Sequence, residues 1–358
     1  MRVSRQEIRK SSVPHLQFDS WKNCQHDQPP RALADAKEAS VECVAESIRS
    51  PPHLFPSAPP LTLMSILLIF VDGIGIGTRG EQNPLDGLDS EFFSMFQGEE
   101  PWLPFEGVMA ETDARLGIDG LPQSATGQTA ILTGVNAAQL IGRHLHGYPS
   151  PRLKQALAEH SVYKKLIAQG RSITFANAYT RSYLDNPPRF VSATTVAAQT
   201  AGVRLRLLED LQEGRAVSHD FTNRFLIERG FEVDSCTPEV AGERLARLAA
   251  DHDFTLYEHF ITDRIGHMQR HDLARDHLSD LTRFVRAVLE AADLSRQTVV
   301  LTSDHGNIED LSTRSHTLNP VATLAFGPAR ERVAARVRSL TDITPAIVEV
   351  LAAQSTQV

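Results

Sequence analysis

Short unbroken apolar runs alternate along this chain with stretches whose apolar residues recur every three to four positions. Residues 65–71, 254–262, 297–303 and 321–326 are rich in valine, leucine, isoleucine and phenylalanine, and they are too short for buried helices. They read as strands covered on both faces. Residues 151–170 open at a proline and close at a glycine, with Leu153, Leu157, Val162 and Leu166 near helical spacing, which predicts a helix. A core strand is expected over 171–179, and helices over 239–250 and 272–293. The second of these helices carries Leu273, Leu278, Leu281, Phe284, Val285, Val288 and Leu289 along one face. A last helix starts near Thr344-Pro345 and runs through Val350. Strands alternating with helices predict an α/β fold, a three-layer and mainly parallel sheet flanked by helices, with right-handed crossovers.

Two regions depart from that rhythm. Between 180 and 234 the pattern loosens around Pro187-Pro188, a helix expected over 204–211, and a polar stretch holding His219 and Asp220. This segment reads as a small cap facing the substrate. Residues 1–63 hold eight of the twenty prolines and two of the three cysteines, Cys24 and Cys43, without sustained periodicity. They are expected to be a disordered extension with one short helix over 31–48, and residues 64–358 to form one domain beginning near Met64.

The chemistry lies at the ends of the expected strands. Thr302-Ser-Asp-His-Gly-Asn307 sets Asp304 and His305 at the end of one apolar run, and Asp72-Gly73 ends another, with Gly75 and Gly77 close behind. The run 254–262 leads into Asp263-Arg-Ile-Gly-His267, where Gly266 would let both side chains face one point; an i,i+4 pair on a helix is the plainer reading. His316 sits in Ser-His-Thr-Leu-Asn-Pro, which Pro320 keeps out of a helix. Carboxyl ends of parallel strands gather ligands in open α/β folds. Carboxylate and imidazole without cysteine suit zinc, manganese or a similar divalent ion, and six ligands are too many for one tetrahedral site, so two metals are expected.

A two-metal site points to displacement at phosphorus, which raises the question of a nucleophile. Ser124, in Leu121-Pro-Gln-Ser-Ala-Thr-Gly-Gln128, stands at or just before a short helix closed by Gly134, where backbone N–H groups favour an anion. An ordinary N-cap is the competing role, and Thr126 is its rival in both.

These motifs, in this order, resemble the alkaline phosphatase superfamily, most closely the cofactor-independent phosphoglycerate mutases and their metalloenzyme-domain relatives. The resemblance runs from about residue 65 to the end, poorly in the middle. It implies one metal held by Asp263, His267 and His316, a second held by Asp72, Asp304, His305 and Ser124, and phosphorylation of Ser124. Manganese is the first expectation, zinc the second and magnesium the third. Two departures stand out: Gly127 is followed by Gln128 where those mutases carry histidine, and there is no room for the large arginine-bearing transferase domain they insert after the nucleophile.

The short cap tilts the expectation toward a hydrolase, a phosphatase or phosphodiesterase working through phosphoserine, because returning phosphate to the substrate requires excluding water. A mutase and a metal-binding protein without turnover are the alternatives. Arg143 and His146, in Gly-Arg-His-Leu-His-Gly, are candidate grips on a small phosphorylated substrate, against a plain solvated loop; Arg181, Arg189 and Arg206 are weaker ones. With 36 basic against 44 acidic residues and a net charge of -8, no basic stripe invites nucleic acid. The apolar run 61–71 is too short to span a bilayer, so no membrane partner is expected. Cys236 is the sole core cysteine, which suits a cytoplasmic protein.

Overall fold

The computed structural model describes residues 64–353; the readings made for residues 1–63 lie outside them. Among the described residues eight strands are formed: β1 Ser65–Val71, β2 Val108–Thr112, β3 Ile173–Phe175, β4 Ala178–Tyr179, β5 Arg206–Leu207, β6 Phe254–His259, β7 Gln297–Thr302 and β8 Val321–Phe326. Six make one sheet in the order β2-β8-β7-β1-β6-β3. β7, β1, β6 and β3 pair in parallel, while β8 runs antiparallel to both of its neighbours. The expected class, a mostly parallel sheet between helical layers, is the one observed.

β1 lies at the centre, and residues 66–71 are buried throughout. Because side chains alternate across a strand, its apolar run divides between two cores. Leu67, Ile69 and Val71 join a cluster with residues of the Pro238–Ala250 and His271–Ala291 helices. Ile66, Leu68 and Phe70 join another with residues of the Ser124–Thr133, Pro151–His160 and Ile343–Ala352 helices. Truncating a buried leucine such as Leu67 to alanine costs about 2–5 kcal/mol in such a setting.

Four expectations are corrected. The helix expected over 151–170 is two, Pro151–His160 and Val162–Ala168, because Ser161 takes extended geometry and caps the second through Lys164 N–H. The strand expected over 171–179 stops at Phe175: the Asn177 side chain bonds Glu258 N–H and C=O, and the chain then enters a separate two-stranded sheet, β4 with β5. The helix expected over 204–211 starts only at Leu208, since Asp210 accepts from Leu207 N–H and holds the residues before it extended. Finally, β6 ends at His259, and Asp263 and His267 lie on the following helix, Ile261–Met268. Within the loosely patterned segment, the Ala193–Thr200 helix is largely buried in the same core as the Ser124 helix. No helix among the described residues is long and apolar enough to cross a membrane.

Candidate functional site

Because β1, β6 and β7 run parallel, their carboxyl ends open on one edge, and the loops leaving them interlock. Asp72 follows β1, and its N–H donates to His259 C=O at 2.8 Å. Gly73 then turns the chain at φ +75°, and a Cβ there would meet Asp263 Cβ at 2.9 Å, so only glycine lets the loop pass. Its N–H reaches Asp304 Oδ1 at 3.3 Å, while Ile74 N–H donates to Ser303 Oγ at 2.9 Å. Asp304 and His305 are fully buried beyond β7.

Ser124 is the first residue of its helix, and Gln123 before it provides no side-chain cap. Its Oγ lies 3.0 Å from His305 Nε2. Thr126, its rival, turns its hydroxyl back to Gln123 C=O at 3.0 Å within the same helix start. Gly127 lets the helix approach: a Cβ there would stand 2.7 Å from Asp304 C=O. One turn after Ser124, the Gln128 amide donates to Asp72 Oδ2 at 3.1 Å, so the residue that departs from the mutase pattern touches a candidate ligand.

The second half of the cluster comes from the 261–268 helix and the loop carrying His316. Asp263 and His267 form an i,i+4 pair with Oδ2 and Nε2 3.4 Å apart. Gly266 serves close packing rather than a turn, since a Cβ would fall 2.6 Å from Asn307 Oδ1. His267 Nδ1 bonds Arg314 C=O at 2.6 Å and His316 Nδ1 bonds Pro122 C=O at 2.8 Å. A carbonyl can only accept, so both Nδ1 atoms carry protons and both Nε2 atoms turn inward, 3.3 Å from each other. Imidazoles bound to a metal are oriented in this way. His316 also stacks on His305, ring centroids 3.7 Å apart, and its Nε2 is 3.5 Å from Asp263 Oδ1.

Ligand atoms of Asp263, His305 and His316 lie within 4.8 Å of one another, as do those of Asp72, Asp304 and His305. Burial, then the charges of Asp304 and Asp263, raises the Asp72 carboxyl well above its ordinary range. Burial and Asp263 push Asp304 up to about 7. Asp263 is also pushed upward by burial, but its hydrogen bond to His267 and the neighbouring imidazoles outweigh that and hold it low. Burial lowers His305, and lowers His316 to about 4, whereas the hydrogen bond to Asp263 raises His267. His305 Nε2 also lies 3.3 Å from Asp72 Oδ1 and 3.5 Å from Asp304 Oδ2. Asp72 Oδ1 and Asp304 Oδ2 are buried with no hydrogen-bond partner. Crowded carboxyls, inward imidazole nitrogens and orphaned oxygens fit divalent cations.

Reading the sequence missed the residue that ties these loops together. Buried Glu309 accepts from Gly75 N–H (2.9 Å), Asn307 N–H (2.7 Å), Thr317 Oγ1 (2.5 Å) and Asn319 Nδ2 (3.0 Å), joining three of the loops. Asn307 Nδ2 in turn holds Asp263 Oδ1 at 2.6 Å. Only their place just after Asp304-His305 signalled them. Of the basic candidates, His146 bonds Gln123 Oε1 at 3.1 Å, and its ring lies 6.2 Å from that of His316. Arg143 is exposed, and among the described residues no hydrogen bond or ion pair ties its guanidinium to the cluster. Arg181 pairs with Glu209, and Arg206 is buried against Thr174 and Arg215 C=O.

Residues 234–355 match the family model described as Metalloenzyme superfamily. Over 156 residues the chain is 30% identical to 2,3-bisphosphoglycerate-independent phosphoglycerate mutase of Halobacterium salinarum, a match covering 39% of this chain and 30% of that protein. The chain thus spans under a third of that curated relative. Among solved structures, PH0037 of Pyrococcus horikoshii superposes with a TM-score of 0.50 at 13% identity, covering 81% of this chain and 98% of that one. Alkaline phosphatase of the Antarctic bacterium TAB5 gives 0.42 at 13% identity, covering 81% and 99%.

Proposed function

We propose that the chain, whose residues 234–355 match the Metalloenzyme superfamily model, is a metalloenzyme of that superfamily and a phosphoryl-transfer enzyme, a phosphatase or phosphodiesterase with Ser124 as nucleophile. The observation that carries the reading is the 3.0 Å approach of Ser124 Oγ to His305 Nε2, at a helix start and beside two acid–imidazole groups. Asp263, His267 and His316 would hold one divalent ion, and Asp72, Asp304, His305 and Ser124 a second. Bound there, the ions would supply positive charge to the phosphoryl oxygens and favour the serine alkoxide, manganese being preferred over zinc and magnesium.

The chain's own residues set the geometry of transfer. Ser124 Oγ forms the bond to phosphorus as the ester P–O bond breaks, and the leaving oxygen takes up a proton; water then attacks phosphorus and returns Ser124 to its free form. Gln128 holds Asp72 Oδ2, which leaves the orphaned Oδ1 for the site. Asn307 Nδ2 holds Asp263 Oδ1, and the carbonyls of Arg314 and Pro122 fix the two inward imidazoles. A small phosphorylated molecule is the proposed substrate, in a cytoplasmic setting without nucleic acid or membrane as partner.

The test is turnover of phosphate monoesters, diesters and phosphosugars by manganese- or zinc-loaded protein beside Ser124→Ala. Phosphate release that the substitution abolishes supports the hydrolase; release that survives it overturns the role of Ser124. The mutase reading draws on the Halobacterium relative, and isomerised product without free phosphate would favour it.

A further inference from the structure

One side of the rim carries aromatic and cationic groups that bond breaking at phosphorus does not require. Tyr148 lies two residues beyond His146, so its Cα is within about 7 Å of the Cα of a residue whose ring neighbours His316. Its ring stacks on Phe190, centroids 5.6 Å apart and planes at 21°. Both rings remain 50% exposed, although each is large and apolar. Arg189 stands over Phe190 at 5.3 Å. Arg264, next in sequence to Asp263, stands over Phe225 at 5.9 Å. Two segments far apart in sequence therefore bring an exposed aromatic pair and the Arg189 guanidinium together on the His146 side of the candidate site.

Rings already 5.6 Å apart leave no space for a third between them, so a ligand ring must lie on an outer face of the pair. Such a face accepts any planar ring. A guanidinium beside it takes an oxygen of an anionic or sugar-like portion. We infer that the substrate is a phosphate ester whose alcohol carries a planar aromatic ring, of the nucleoside monophosphate kind, with the ring on the Tyr148–Phe190 pair and Arg189 on an oxygen between ring and phosphate. This inference rests on the phosphoryl-transfer reading, since it is the phosphate at Ser124 that brings the ring to this distance.

The test compares esters that share a primary-alcohol leaving group: adenosine 5′-monophosphate and pyridoxal 5′-phosphate, which carry rings, and ribose 5-phosphate, which has none. The metal-loaded full chain and its Phe190→Leu and Tyr148→Leu variants are used for turnover and for calorimetric binding. The expected result is a preference of about tenfold or more in kcat/KM for adenosine 5′-monophosphate over ribose 5-phosphate, expressed mainly in KM, falling to within threefold of unity in Phe190→Leu. Preference for pyridoxal 5′-phosphate alone would keep the ring and discard the nucleoside. Equal kcat/KM for all three esters, or variants that lower all three alike, overturns the inference and leaves phosphoryl transfer standing. Absence of turnover of every ester sinks the phosphoryl-transfer reading instead. Binding then decides the ring: tighter binding of the ring-bearing esters that Phe190→Leu abolishes supports it, and equal or no binding overturns it.

Discussion

The loops that leave β1, β6 and β7 and the segment between residues 150 and 234 are built by different means. In the loops, the candidate ligands are held by backbone groups and by buried side chains. Gly73 N–H meets Asp304, the carbonyls of Arg314 and Pro122 hold His267 and His316, and Glu309 gathers two amide N–H groups, a hydroxyl and an amide side chain. In the segment, side chains mostly start and stop short elements: Ser161, Thr180 and Ser192 cap helices, and Asn177 and Asp210 bond backbone groups where strand β3 ends and β5 gives way to helix. A buried network with every member fixed preserves a geometry, so its composition tolerates little change; caps on short elements are interchangeable among serine, threonine and aspartate. Chemistry should therefore be sensitive in the loops and forgiving in the segment.

The largest effect that would sharpen this contrast is Asp304→Asn, which removes a fully buried candidate ligand: activity should fall roughly a thousandfold, with loss of bound metal measured by elemental analysis. Retention of both would break the comparison at its strongest point. Glu309→Ala leaves four donors without their acceptor and should cost about 2–4 kcal/mol in denaturant unfolding, with Glu309→Gln recovering part of it. Gln128→Leu frees Asp72 Oδ2, and metal affinity by calorimetry should weaken about 10- to 100-fold while the fold persists.

Acidity offers a further check. Asp304 in the folded chain keeps its proton up to about 7, against about 4 for an unfolded aspartate. A raised carboxyl stabilises the metal-free fold fully below pH 4, and this contribution is lost as pH rises through 7. Metal binding needs the ionised form and gains over the same interval. The difference in melting temperature between metal-loaded and chelator-treated protein should therefore widen from pH 5 to pH 8; a difference that shrinks would contradict the assignment of Asp304. The smallest effects belong to the segment and its approach. Ser161→Ala should cost about 1 kcal/mol through its lost cap, and Arg143→Ala should change kcat/KM less than threefold in steady-state assays.

The same contrast explains what could be read from the sequence. Buried strands announce themselves through apolar runs, and β1, β6, β7 and β8 were legible for that reason, as were the acids at the ends of β1 and β7. Asp263 and His267 were placed on the right edge but on the wrong element. Residues 254–262 read as one apolar run, whereas the chain enters a helix once β6 ends, and an i,i+4 pair suits two ligands as well as a turn does. Glu309 left no mark because one acid two residues past an asparagine carries no periodicity, and its four partners come from three loops. The short elements of the segment were blurred for a related reason: their ends are decided by single side chains such as Ser161 and Asp210, whose effect depends on a partner that spacing alone does not reveal.

The central claim is that Ser124 takes the phosphoryl group. Metal-loaded protein mixed with a phosphate ester and quenched in acid within the first turnovers should yield a tryptic peptide 80 Da heavier with the phosphate on Ser124, as expected of a phosphoserine intermediate, and none from Ser124→Ala. Turnover with unmodified Ser124 at every quench time, or an equally active Ser124→Ala protein, would contradict it.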